Sequence, residues 1–340
     1  MTAMSRSLHV GARALKAALV TARDVGFQTG LAIARRLPEG STVYLTVRQE
    51  EEIPRLTDEI KTSQGEEMAN KLQFIHLDFH DKNSLIKLYQ TVKREVATLD
   101  ILVNNSQKYH LPSFMDDQKF AWQCEDTLAV NYHGLKKMCK IFSPMMNQGG
   151  RVVNCSSHLG HLSNLDGMEP HASQLRANFI QKDLAEEELD RLVKQFTSLA
   201  MSGGGGWWQH GWPACPYTVS KIAVNAYTRI LQARLDTYHP QKDLVVNAVH
   251  HGCMHKHMNS SAGFSPAQAG ELVAGLALLP DNTVIRGKVI WRDFMTFDNW
   301  QYGGLDDDSK QSKAFVANYD MEGEEENHQY EMINGFCLDG

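Results

Sequence analysis

Tyr217 and Lys221 are the residues whose types and spacing most directly indicate chemistry in this sequence of 340 residues. They stand four positions apart in a helical pattern, so both side chains are expected on one face of a helix. An ammonium close to a phenol favours the phenolate and lowers the pKa of the phenol. Such a pair can donate a proton to a carbonyl group that receives hydride. Because many helices contain a tyrosine and a lysine at this spacing by chance, the pair needs support from other residues.

Ser157 and Asn131 provide that support. Ser157 ends a predicted strand, where its hydroxyl can hydrogen-bond a substrate carbonyl and stabilise negative charge that develops on the oxygen. Asn131 begins a predicted helix and could hold the water of a proton relay. Each residue taken alone is also explained as a helix cap or a packing residue. All four together, in the right order along the chain, predict a catalytic group of Asn131, Ser157, Tyr217 and Lys221.

The elements that must position these residues alternate between short apolar runs and helical patterns. Seven runs are predicted as strands, at residues 17–21, 42–47, 72–77, 101–103, 151–155, 244–249 and 287–291. Buried apolar strands that alternate with helices are typical of a parallel sheet with helices on both faces. The sequence therefore predicts an α/β fold of the Rossmann type, which is a doubly wound, mainly parallel sheet of seven strands.

A helical insertion interrupts this alternation before Tyr217. Residues 158–212 are polar and partly helical, and they end in four consecutive glycines and three tryptophans. We interpret them as an insertion over the edge of the sheet. The last ten residues could form a lid whose tryptophans, Trp212 among them, line a substrate pocket, or a loop that packs its indoles on the domain. The predicted boundaries are an N-terminal extension (1–14), a sheet domain (15–305) and a C-terminal tail (306–340).

The net charge of −6 is unevenly distributed. Residues 306–340 hold ten acidic residues and two lysines, so the rest of the chain is nearly neutral. We interpret this tail as a solvated, disordered extension, with a protein partner as the alternative because aromatic residues interleave its acids. The acidic balance argues against a general nucleic-acid binder, and no run of 18 apolar residues could span a membrane. Six cysteines without a CxxC pair predict reduced thiols and a cytoplasmic protein.

The first strand-to-helix turn is the expected cofactor end, because an open parallel sheet binds its ligand beyond the carboxyl ends of its strands. Thr21 precedes this turn, and Gly26 and Gly30 lie within or just after it. Glycines allow the backbone to approach a pyrophosphate at the amino terminus of a helix. Two glycines alone are weak evidence, since many loops contain two.

Arg48 is a stronger indication, since it ends the second predicted strand. A nucleotide ribose would pass this point, and an arginine there suits a 2′-phosphate and favours NADP over NAD. Arg23 could assist, and Asp78 after the third strand could accept a hydrogen bond from the adenine amine. The alternative interpretation is that Arg23 and Arg48 are solvated surface residues and that Asp78 caps a helix.

The chain resembles the short-chain dehydrogenases/reductases, and more narrowly the monomeric NADPH-dependent carbonyl reductases. The resemblance rests on stretches that include Ala18–Thr21, Leu45–Arg48, Leu99–Asn105, Asn131–Gly134, Gly150–Ser157 and Tyr217–Lys221. Ser157 and Tyr217 are 60 positions apart. This long separation is similar to that of the carbonyl reductases, in which an extra helical segment covers the surface that other members use to form oligomers. The resemblance therefore implies a monomer.

The same resemblance implies an activity and a role for each candidate residue. The implied activity is the NADPH-dependent reduction of a small-molecule ketone, aldehyde or quinone to an alcohol. Tyr217 would be the general acid, and Lys221 would lower its pKa and bind the nicotinamide ribose. Ser157 would orient the carbonyl, and Asn131 would complete the tetrad. Arg48 would bind the 2′-phosphate, Asp78 the adenine and Asn104 the adenosine. Cys253 would line the substrate pocket.

Three cofactor-binding motifs depart from the family pattern. Ala22 replaces the first glycine of the turn, Gln107 replaces a glycine on which adenosine packs, and His251 replaces a proline after the sixth strand. A functional reductase with an altered cofactor loop fits these changes, and so does a catalytically weak or inactive subunit of a larger assembly. The intact catalytic group favours the first. Four histidines and a cysteine within residues 250–257 fit no standard metal site, so no metal is predicted.

Overall fold

The computed structural model describes residues 16–22, 25–113, 115–252, 265–291 and 296–297. Four of the predictions fall on residues outside these ranges. They concern the N-terminal extension 1–14, Arg23, Cys253 and the acidic tail 306–340.

Eight strands of the described chain form one sheet. They are β1 (Ala17–Val20), β2 (Thr42–Val47), β3 (Leu72–His76), β4 (Leu99–Asn104), β5 (Met146–Cys155), β6 (Val245–Val249), β7 (Val289–Ile290) and β8 (Thr296–Phe297). Their order across the sheet is β3-β2-β1-β4-β5-β6-β7-β8. The first seven strands pair in parallel and β8 pairs antiparallel with β7. The seven predicted parallel strands and the Rossmann-type class are confirmed, whereas the two-residue β8 was not predicted.

Helices connect the strands and cover both faces of the sheet. In the described residues they are α1 (Val25–Arg36), α2 (Ile53–Gln64), α3 (Glu66–Lys71), α4 (Lys82–Val96), α5 (Asp117–Leu128), α6 (Leu135–Phe142), α7 (His171–Ile180), α8 (Glu186–Ser202), α9 (Gly206–Gln209), α10 (Pro216–Tyr238) and α11 (Pro266–Ala277). Side-chain caps fix several helix starts: Asp81 accepts from Asn83 at α4, and Ser265 accepts from Gln268 at α11. None of these helices is long and apolar enough to cross a bilayer.

The central strands β1, β4 and β6 are buried on both sides, and the sheet divides the core in two. Leu19 of β1 packs on one face with Tyr44 and Leu102. Its neighbours Ala18 and Val20 pack on the other face, with α1 and α11. This alternation follows from the opposite directions of successive side chains in a strand. It explains why the strands are continuous apolar runs in the sequence.

The segment between β5 and α10 forms its own layer over the first of these cores. Trp212 is fully buried there, with its ring centroid 6.1 Å from that of Phe179 and 5.4 Å from that of Phe196. Its indole is therefore a packing centre of the insertion. Trp212 does not line the groove of the described residues, and Trp208 is the more exposed indole. The assignment of Trp212 to a substrate pocket stays a prediction.

Charged side chains attach this layer to the helices of the sheet domain. Glu186 of α8 accepts from Arg234 of α10 at 2.9 Å and lies 3.1 Å from the ammonium of Lys136 on α6. Asp190 bonds the same ammonium and accepts from the hydroxyl of Tyr132 at 2.8 Å. The insertion is thus held by ion pairs as well as by its apolar face.

Arg151 forms a second polar cluster, at the edge of the sheet where β6 begins. Its guanidinium is almost fully buried and donates to the carbonyl oxygens of Leu279 at 3.1 Å and Pro280 at 2.7 Å. It also donates to the carbonyl oxygen of Asp243 at 2.7 Å and to its carboxylate at 3.1 Å. Burial opposes the carboxylate charge, but bonds from Asn282 and Arg151 outweigh it and hold the pKa of Asp243 below its usual range.

Candidate active site

The carboxyl ends of β4 and β5 meet the amino end of α10, and the candidate catalytic residues lie at this meeting point. α10 begins at Pro216, where a missing N–H costs nothing because the first helical N–H groups have no partner within the helix. The hydroxyl-bearing Tyr217 follows at once, and Lys221 lies one turn later on the same face. Ser157 follows the end of β5.

Lys221 is held close to Tyr217 by the backbone of β5. Its ammonium donates to the carbonyl oxygen of Cys155 at 2.9 Å and lies 5.1 Å from the centroid of the Tyr217 ring. Both side chains are buried, at 1% and 2% exposure. A cation in this position, largely removed from water, stabilises negative charge on the phenol more strongly than it would in solvent.

A single carbonyl oxygen joins the two side chains. The Tyr217 hydroxyl donates to Oε1 of Gln107 at 3.0 Å, and the Lys221 ammonium donates to the same oxygen at 2.9 Å. The ring of Tyr109 meets that of Tyr217 edge-on, with centroids 5.4 Å apart. The sequence marked Gln107 only as a departure from the family pattern and contained no signal for this contact.

Asn131 lies in a π-helical turn, Ala129–Gly134, between α5 and α6. Its amide oxygen accepts from the backbone N–H of Lys108 at 2.7 Å, and its amide nitrogen donates to the carbonyl oxygen of Lys108 at 2.9 Å. The same nitrogen donates to the Ser220 hydroxyl at 3.0 Å. Asn131 therefore fixes the segment that carries Gln107 against α10. Its role with a relay water stays a prediction.

Ser157 begins a short 3₁₀ turn, His158–Gly160, and caps it. Its hydroxyl oxygen accepts from the N–H of Leu159 at 3.2 Å. The side chain is 3% exposed. The same oxygen lies 3.5 Å from Nδ1 of His158, so a substrate carbonyl that accepts the hydroxyl proton would replace this local contact.

A groove of about 950 Å³ runs along the carboxyl ends of β1 to β4. Arg48 and Asp78, two of the predicted cofactor residues, line it together with Ala22, Gln107 and Lys108. Arg48 is exposed, so its guanidinium can meet a ligand in the groove. The carboxylate of Asp78 accepts from the N–H of His80 at 2.9 Å, which is the local turn that the helix-cap alternative describes.

Thr21, Gly26 and Gly30 support the groove and are not among its lining residues. The Thr21 hydroxyl accepts from the N–H groups of Asn105 and Ser106, both at 2.8 Å. A Cβ on Gly26 would lie 2.5 Å from the side-chain amide nitrogen of Asn105, and one on Gly30 would lie 2.3 Å from a methyl of Leu45. Both glycines belong to α1, and both are explained by the lack of space between this helix and its neighbours Asn105 and Leu45.

Ala22 occupies the position of the family's first turn glycine without backbone strain. The described non-glycine residues with positive φ are Ala97, Asp243 and Asn282, so an alanine at position 22 needs no left-handed conformation. Its N–H donates to the hydroxyl of Thr46 at 3.1 Å. Ala22 therefore carries no left-handed backbone, and it lines the groove.

Asn104 is buried at the carboxyl end of β4. Its amide nitrogen donates to Oδ1 of Asn154 at 2.9 Å and to the sulfur of Cys139 at 3.3 Å, so it bridges β4 and β5 inside the protein. The next residue, Asn105, lies against Gly26 beside the groove. Neither asparagine is among the groove-lining residues of the described chain, so the role of Asn104 at the adenosine stays a prediction.

Asp126 organises a charged cluster beside the same segment. Its carboxylate accepts from Lys108 at 2.9 Å and contacts ring nitrogens of His110 at 2.5 Å and His80 at 3.1 Å. The side chain is only 8% exposed. Burial by itself would raise the pKa of Asp126, but hydrogen bonds from Lys108 and His110 outweigh it, so the pKa lies below its usual range.

We expect the substitution D126N to lower the free energy of unfolding by about 1–3 kcal/mol, because it removes the charge that three partners share. A lowered pKa stabilises the folded protein above the pKa of the unfolded carboxyl, and this contribution is lost as the pH falls. The difference between wild type and D126N should therefore shrink below about pH 4. Urea unfolding across pH measures it. The exposed Asp58 of α2 provides the control D58N, and equal losses for both variants would contradict the prediction.

Comparison with known proteins places these features in one family. The profile of the short chain dehydrogenase family matches residues 16–195. Carbonyl reductase (NADPH) 3 of Homo sapiens is 32% identical over 279 residues, which cover 81% of this chain and 95% of that protein. Carbonyl reductase (NADPH) 1 of Mus musculus is 31% identical over 77% of this chain and 91% of its own length.

Solved structures support the fold. Salutaridine reductase from Papaver somniferum superposes with a TM-score of 0.65 at 23% identity and covers 81% of this chain and 99% of its own. Menthone neomenthol reductase from Mentha piperita gives a TM-score of 0.66 at 24% identity, with 82% and 99% covered. These two likenesses extend to the fold alone.

Proposed function

The chain belongs to the short-chain dehydrogenase family, and from this premise we propose that it reduces the carbonyl group of a small molecule to an alcohol with NADPH, with Tyr217 as the proton donor. One observation carries the proposal. The hydroxyl of Tyr217 and the ammonium of Lys221 already converge on one carbonyl oxygen, that of Gln107. A site that directs a phenol and a cation at a carbonyl oxygen has the geometry that protonation of a substrate carbonyl requires.

The chain's own residues account for the proton transfer. Tyr217 would donate its hydroxyl proton to the substrate oxygen, and the adjacent ammonium of Lys221 would stabilise the phenolate that remains. Ser157 would donate a second hydrogen bond to that oxygen and hold the carbonyl in place. Burial of the pair strengthens both interactions because little water competes. Bound NADPH would supply the hydride.

The groove fits the proposed cofactor. It lies at the carboxyl ends of β1 to β4, where a doubly wound sheet binds dinucleotides, and it is large enough for an extended ligand. Arg48 supplies positive charge at its wall. Arg55 and Lys108 also line it but are paired with Glu59 and Asp126. Asp78 offers a carboxylate for the adenine amine. Arg48 would contact the 2′-phosphate, as its place after β2 suggests.

The substitution R48A should weaken NADPH binding about tenfold and leave NADH binding nearly unchanged, because a charge-assisted contact to phosphate is worth about 1.5–3 kcal/mol. Titration of each cofactor, followed by its fluorescence, measures the two dissociation constants. R191A is the matched control, since Arg191 is an exposed arginine of α8 paired with Glu188. An equal loss for NADH and NADPH would contradict the assignment of Arg48 to the 2′-phosphate.

The alternative, a catalytically weak or inactive reductase fold within a larger assembly, is supported by the departures from the family's cofactor motifs at Ala22, Gln107 and His251. A titration of the wild-type chain with NADPH distinguishes the two. Saturable binding together with turnover of a quinone or an aldehyde supports the reductase. Absence of binding at high micromolar NADPH favours the inactive alternative.

A further inference from the structure

Gln107 stands between the groove and the candidate catalytic pair. Its side chain lines the groove, while its amide oxygen bonds Tyr217 and Lys221. Neither of these two residues is among the groove-lining residues of the described chain. With Gln107 in this conformation, the groove therefore ends at the glutamine side chain before it reaches the catalytic pair.

The contacts of Gln107 imitate those of the reactants. Its Oε1 is a carbonyl oxygen within hydrogen-bond distance of the proton donor, which is the place of a substrate carbonyl. The same oxygen accepts from the Lys221 ammonium, which would otherwise be available to a ribose hydroxyl. A ligand must therefore break both bonds to reach the catalytic pair, and one of them has a charged donor and is the stronger for it.

The backbone on either side of Gln107 is fixed. The N–H of Ser106 donates to the Thr21 hydroxyl at 2.8 Å, and both backbone polar groups of Lys108 bond the amide of Asn131. Movement of the whole segment would break these bonds as well. Rotation about the side-chain torsions of Gln107 breaks none of them, and rotamer changes of this kind are fast.

From these contacts the geometry points to Gln107 as a side-chain latch that closes the Tyr217–Lys221 pair in the free chain and must rotate away before cofactor and substrate bind. The inference rests on the proposed function, because it assigns the latch to the site of that reaction. A latch closed in about nine molecules of ten would raise the apparent dissociation constant about tenfold. The polar side chain that replaces glycine here thus acts as a regulator of cofactor access.

Three substitutions at position 107 test the latch by NADPH titration. Q107A removes the amide and should tighten NADPH binding about tenfold. Q107N is one methylene shorter and cannot reach both donors, so it should give a smaller gain in affinity. Q107E keeps the shape but places a carboxylate on the Lys221 ammonium, so it should close the latch more firmly and weaken binding. The exposed Gln181 after α7 provides the control Q181A, for which no change is expected.

The outcomes separate the latch from the proposed reaction. Unchanged, weaker or absent NADPH binding by Q107A overturns the latch. A residue that only positions Tyr217 and Lys221 would weaken NADPH binding when it is removed. Should Q107A fail to fold in a thermal unfolding assay, the opposite shifts expected for Q107N and Q107E decide the question. A gain in affinity without reduction of any quinone or aldehyde leaves the latch in place and contradicts the reductase proposal.

Discussion

Replacement of Tyr217 by phenylalanine is expected to lower kcat for carbonyl reduction at least about 100-fold, because a positioned general acid contributes about 10²–10⁴ to a rate. The variant removes the hydroxyl that donates to Gln107 and keeps the ring that packs against Tyr109. Since Oε1 of Gln107 still accepts from Lys221, no buried acceptor is left without a bond. Thermal stability should therefore change little. Turnover of NADPH with a panel of quinones and aldehydes, measured beside a thermal unfolding curve, tests both expectations.

Tyr227 provides the matched control for this experiment. It lies on the same helix α10, is fully buried and belongs to the core beneath the insertion. The variant Y227F should retain turnover, because its hydroxyl lies outside the catalytic group. Full turnover by Y217F would refute the assignment of the proton donor. Loss of turnover in both variants would indicate that the effect arises from the packing of α10.

The substitution W212A is expected to lower the free energy of unfolding by about 3–5 kcal/mol, which is the usual cost when a fully buried tryptophan is truncated to alanine. The indole packs against Phe179 of α7 and Phe196 of α8, and its loss leaves a cavity between these two helices. Chemical denaturation measures the loss. The NADPH dissociation constant and the KM values of the protein that remains folded should stay at their wild-type values.

Trp208 is the matched control for this second experiment, since it lies in the same insertion but is 44% exposed. W208A should cost much less stability than W212A, because less apolar surface leaves contact with the protein. A large KM change in W212A with little loss of stability would support the alternative, in which Trp212 lines a substrate pocket.

The sequence was sufficient to predict the sheet because its central strands β1, β4 and β6 are buried on both faces. Continuous apolar runs such as Ala17–Val20 and Val245–Val249 leave little choice of element, and their alternation with helices dictates parallel pairing. β8 was missed because two residues carry no periodicity. The placement of Tyr217, Lys221 and Ser157 at one end of the sheet follows from the topology alone.

Side-chain direction was the part that the sequence could not settle. Asn104 and Asn105 are identical neighbours, yet Asn104 bonds Asn154 between β4 and β5 whereas Asn105 lies against Gly26. Trp207, Trp208 and Trp212 share one glycine-rich segment, and their exposure depends on how that segment turns over the core. Gln107 bonds Tyr217 and Lys221, which lie 110 and 114 positions away in the sequence. No local sequence pattern indicates a contact over such a separation.

Arg151 and its carbonyl partners give the fold a source of stability remote from the chemistry. The guanidinium joins the beginning of β6 to the end of α11, while Ser157, Tyr217 and Gln107 lie at the opposite, carboxyl edge of the sheet. Substitutions at the carboxyl edge therefore leave these bonds intact. The protein can tolerate drift in its cofactor-binding loops, as at Ala22 and Gln107, without losing its architecture. This separation gives the scaffold mutational robustness, and new specificities can evolve at one edge while the other preserves the fold.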